Sequence, residues 1–62
     1  MNDIKKIANY LAERYNFMCE EKKKEKDTDI KMMIEGEKFT CIKTMKFIND
    51  EFGITPDIEL NH

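Results

Sequence analysis

The chain of 62 residues has no Trp, Ser, Gln or Val, a single Pro, two Gly, two Cys, and one His at its last position. Each shortage narrows what the chain can do. A cysteine nucleophile needs a base beside it to become a thiolate, and His62 is the only imidazole. Two cysteines 22 positions apart and one His cannot supply the four closely spaced ligands of a structural zinc site. Gly36 and Gly53 alone build no phosphate-cradling loop. Asp27-Thr28-Asp29 sets two carboxylates together but lacks the Gly and downstream Glu of a calcium loop. Apolar runs reach only three residues, as in Met32-Met33-Ile34, so neither a membrane span nor an export signal is expected. The chain is expected in the cytoplasm, with Cys19 and Cys41 as reduced, small core residues rather than a bridge. No catalytic residue, cofactor or metal ligand is expected.

What is present is charge. Thirteen acidic and eleven basic side chains give a net charge of −2, which provides no long-range attraction for a phosphate backbone. The lysine-rich stretch from Glu20 to Asp29 is itself slightly acidic, because its Glu and Asp outnumber its Lys. It reads as a solvated helix end, with Glu20→Lys24 and Glu21→Lys24 at pairing distance. The whole is one small domain over residues 1–62. A chain this short buries only about 60% of its unfolded surface, so a second subunit or a partner is the expected supplement to a thin core.

The strongest pattern is the first. Ile4, Ile7, Ala8, Leu11, Tyr15, Met18 and Cys19 recur at i, i+3, i+4, i+7 and predict an amphipathic helix over about 3–25, capped by Asn2 or Asp3. Residues 29–35 read two ways. With Thr28 or Asp27 as cap and Gly36 as stop they form a short helix. With period two, Ile30, Met32 and Ile34 line a strand, and the fold becomes α+β with a hairpin at about 29–42 packed on the first helix. From Thr40, the positions Cys41, Ile42, Met45, Ile48 and Phe52 give a helix over about 40–52 ended by Gly53. Thr55-Pro56-Asp57 resembles a further helix start, although the alternation that follows also suits a short edge strand. The favoured fold is mainly α: three helices (about 3–25, 29–35 and 40–52) and a short C-terminal turn.

Function is then sought on the surface. Phe47 falls about 150° from the mean direction of Met45 and Phe52 at 100° per residue, with Lys43, Lys46 and Asp50 around it. Tyr10 and Phe17 share one edge of the first helix, and the five Met suit adaptable contacts. Aromatics are favoured interface anchors, so Tyr10, Phe17, Phe47, Lys43 and Lys46 are the expected interface residues. The expected function is that of a small non-enzymatic regulator or inhibitor, of the size that mobile elements carry. It would bind another protein or itself as a homodimer, with no small-molecule substrate and no membrane. The alternative is a helix-turn-helix DNA-binding regulator that reads with the helix from Thr40. A single Arg, the negative net charge, and Glu35 and Glu37 flanking the turn weigh against nucleic acid.

Overall fold

A computed structural model describes residues 3–61, so Asn2, a candidate cap, and His62 lie outside the described residues. Two helices make the fold, α1 (Asp3–Lys24) and α2 (Thr28–Phe52), and no strand occurs among the described residues. Residues 25–27 turn the chain. Glu25 closes the end of α1 by donating its N–H to the Glu21 carbonyl at 3.0 Å. Asp27 then starts α2: its carboxylate accepts from the N–H groups of Asp29 at 2.9 Å and Ile30 at 3.2 Å, satisfying two donors a helix start leaves open.

The expected break at Gly36 does not occur, and with it go the three-helix count and the hairpin at 29–42. The favoured helix over 29–35 agrees in kind with α2 and is too short. A glycine ends a helix when the chain needs a left-handed residue. Gly53 is the only glycine with positive φ, at 66°, and its N–H donates to the Asn49 carbonyl at 2.8 Å to close α2. Gly36 stays right-handed, at a cost of about 1 kcal/mol against Ala. Thr40, expected as a cap, instead donates its hydroxyl to the Gly36 carbonyl at 3.0 Å, as Thr44 does to Thr40 at 2.8 Å. Glu35 is held from both directions: its Oε1 accepts from Lys38 one turn on and from Lys22 across the hairpin, at 3.0 and 2.7 Å.

The helices run antiparallel, with Arg14 paired to Glu37 at 3.5 Å and Ala12 against Cys41 and Met45. Buried are Ala8, Ala12, Met18, Cys19, Cys41, Met45 and Ile48. Leu11, placed by the sequence pattern in the α1 stripe, is half-buried, and Ile7 is 48% exposed. The stripe is rotated toward Ala12 because a third element packs there. Residues 53–61 form no helix, against the expected start at Thr55. They run back along α1 with a bend at Asp57 and Ile58, and their burial alternates: Ile54, Pro56, Ile58 and Leu60 are half-buried while Thr55, Asp57, Glu59 and Asn61 are exposed. Ile58 and Leu60 pack on the Ala12–Cys41–Met45 cluster. Among the described residues, no helix is long and apolar enough to cross a membrane.

Candidate protein-interaction site

With one flank of the hairpin covered by the C-terminal segment, the rest of its apolar surface stands open. On α2, Met33, Gly36, Thr40, Lys43 and Phe47 share one face at helical spacing, with Met33 and Phe47 as its apolar ends. All five are exposed, Met33 at 71% and Phe47 at 59%. Met32 and Phe39 flank this stripe, exposed at 68% and 63%. This stripe is turned about 130° from the Cys41, Met45 and Ile48 face, so α2 leaves Met32, Met33, Phe39 and Phe47 exposed while it buries that face.

The expected interface residues divide over this surface. Phe47 is outward, as its angle from Met45 requires. Phe52, expected to share the core face with Met45, is exposed; the antiparallel register sets it level with the start of α1, where little covers it. Lys43 extends its Nζ over the Phe39 ring, 5.4 Å from the centroid, so its charge lies on the stripe itself. Lys46 pairs with Asp50 at 3.0 Å, one turn on. Tyr10 and Phe17 are exposed two turns apart on α1, and the Arg14 guanidinium sits 5.8 Å from the Phe17 centroid. The structure therefore brings Lys43 and Phe47 onto one stripe and sets Tyr10 and Phe17 on the other helix.

A groove joins the two helices. Arg14, Phe17 and Met18 from α1 and Ile30, Met33 and Glu37 from α2 line an open hollow of about 300 Å³. Its floor is Met18 and its ends are charged, with the Arg14–Glu37 pair at one and Glu21 and Glu25 at the other. Phe39 is the surface residue that sequence reasoning did not place, while Met32 and Met33 entered only among the five Met suited to adaptable contacts. The signal was available in the same helical spacing that marks Phe47, but dividing the chain at Gly36 concealed that one helix carries it.

On the other flank, between Tyr15 and Glu35, the electrostatics are structural. Lys38 lies over the Tyr15 ring at 5.4 Å and holds Glu35. Burial raises the Tyr15 phenol above its ordinary pKa and the neighbouring Cys19 adds to that, while Lys38 opposes it. Cys41 is also raised, first by burial. A thiol pushed this way stays protonated, the reverse of what a nucleophile needs. Both cysteines are buried and free. Among the described residues, no three His, Cys, Asp or Glu side chains come together as a metal site.

Fold and surface together define a helical hairpin strapped on one flank and open on the other. Comparison with known protein families, with curated proteins and with solved structures finds no match for this chain.

Proposed function

We propose that the protein is a small non-enzymatic binding module, a regulator or inhibitor of a reducing compartment, whose outward α2 stripe is covered by a partner protein or a second copy of the chain. The observation that carries this reading is the stripe on α2: Met33 and Phe47 at its ends, Met32 and Phe39 beside it, all more than half exposed. Such a stripe on a solvated helix is the pattern of a contact surface. Total surface supports it too, at 4736 Å², above the roughly 4,200 Å² that surface scaling gives a monomer of 7.4 kDa. Tyr10, Phe17 and the groove beside them extend the contact onto α1. Lys46 would form its polar rim, and Lys43 would meet the partner on the stripe itself. The DNA-reading alternative rested on a turn at Gly36, and α2 runs through that residue without one.

Phe47→Ser tests the reading. It removes an anchor whose ring is 59% exposed, so the helical circular-dichroism signal should stay near the parent's. Association should weaken by roughly 1–4 kcal/mol, the range for interface anchors, seen in sedimentation as a shift toward monomer. A parent that sediments as a monomer at all concentrations and retains no partner on an affinity column would sink the proposal.

A further inference from the structure

The C-terminal segment is held to α1 in an unusual way for a chain end on a helix: by side-chain amides that grip its backbone. The Asp57 N–H donates to Asn9 Oδ1 at 2.7 Å, and Asn9 Nδ2 returns a bond to the Asp57 carboxylate at 3.4 Å. Two helical turns on, Asn16 Nδ2 donates to the Glu59 carbonyl at 2.9 Å while its Oδ1 accepts from the Asn61 N–H at 2.8 Å. Lys5 completes the row, donating to the Thr55 carbonyl at 2.7 Å and to the Asp57 carboxylate at 3.0 Å.

Asn9 and Asn16 stand seven residues apart, roughly 10.5 Å along α1. Asn9 meets residue 57 and Asn16 straddles residue 60, so the segment, bent at Asp57 and Ile58, passes both amides as it runs parallel to α1. That register turns Ile58 and Leu60 inward onto Ala12, Cys41 and Met45. It leaves the side chains of Thr55, Glu59 and Asn61 pointing away.

We infer that this flank of α1 is a peptide-reading groove, and that the C-terminal segment is its intramolecular occupant. Its ligand class is a short non-helical segment with a carboxylate and two aliphatic residues in the order of Asp57, Ile58 and Leu60. Lys5 and Asn9 read the carboxylate, Asn9 and Asn16 hold the backbone without regard to side chain, and the cluster around Ala12 takes the aliphatics. Its latch bonds lie at the surface and its inward side chains are only half-buried. A segment of the same chemistry on a partner protein would compete for the place. This site is separate from the α2 stripe and does not depend on it.

The test uses the full chain and a fluorescent synthetic peptide of the sequence 53–61. In the parent, the tethered segment competes at an effective concentration in the millimolar range, so the peptide should bind weakly. A double variant, Ile58→Ser with Leu60→Ser, loosens the occupant and should bind the peptide at least about tenfold more tightly. Adding Asn16→Leu to that variant should remove the gain, as should a peptide carrying Asp57→Lys. Should the double variant lose its helical signal, Asp57→Lys in the chain loosens the surface latch alone and should give a smaller gain of the same sign. A helical, loosened variant that fails to bind the peptide, or binds it regardless of Asn16→Leu, overturns the proposal.

Discussion

Two carboxylates tie the structure together from its surface. Asp57 is held below its ordinary pKa of 3.8 by hydrogen bonds from Lys5 and then Asn9. Glu35 is held below 4.5 by Lys22 and then Lys38. A carboxyl with a lower pKa folded than unfolded takes up its proton more readily in the unfolded chain. The stability from these pairs is therefore complete above about pH 5 and is lost as pH falls through the lowered values. A melting midpoint followed from pH 7 to pH 3 should fall in that acid range, and Glu35→Gln with Asp57→Asn should flatten the fall while lowering the midpoint at pH 7. The same residues show what the sequence could tell. Asp57 reads from sequence as part of a helix start with Thr55 and Pro56, but its partners are Lys5 and Asn9, 52 and 48 positions away, and no local pattern encodes a contact at that separation. Asn9 and Asn16 likewise read as the solvated back of α1. Their spacing of seven becomes meaningful only beside a segment that alternates.

At the scale of elements, the two glycines separate cleanly. Gly36 lies in the interior of α2 with right-handed backbone, and nothing lies within 4 Å of where a Cβ would stand. Gly36→Ala should raise stability by about 0.5–1 kcal/mol through helix propensity alone. Gly53 also has open space, but its φ is 66°, and an L side chain there costs roughly 1–2 kcal/mol. Gly53→Ala should lower the melting midpoint, and a thermal melt of the two single variants should show shifts of opposite sign. The same contrast explains why α1 and the end of α2 were legible while the middle of α2 was not. An uninterrupted apolar period and a Gly at a left-handed cap are local signals. Whether Gly36 ends a helix is decided by what lies across the hairpin, where Lys22 reaches Glu35 and Arg14 reaches Glu37.

Across the whole molecule, the fold is an elongated body of 40 × 17 × 16 Å. Among the described residues its core consists of two Ala, two Cys, two Met and one Ile. The sequence showed that such a core would be thin and that aromatics would be left outside it. Which faces those aromatics occupy followed only once α2 was continuous. The C-terminal segment has a consequence for how the molecule exchanges with solvent. The amide protons of Asp57 and Asn61 are bonded to α1 side chains, in a stretch with no helix or sheet of its own. In deuterium oxide these two amides should exchange more slowly than the amide of Thr55, and Asn16→Leu should abolish the protection of Asn61 first. The loss of those two protons would time each departure of the segment from the helix, residue by residue, while α1 and α2 remain folded.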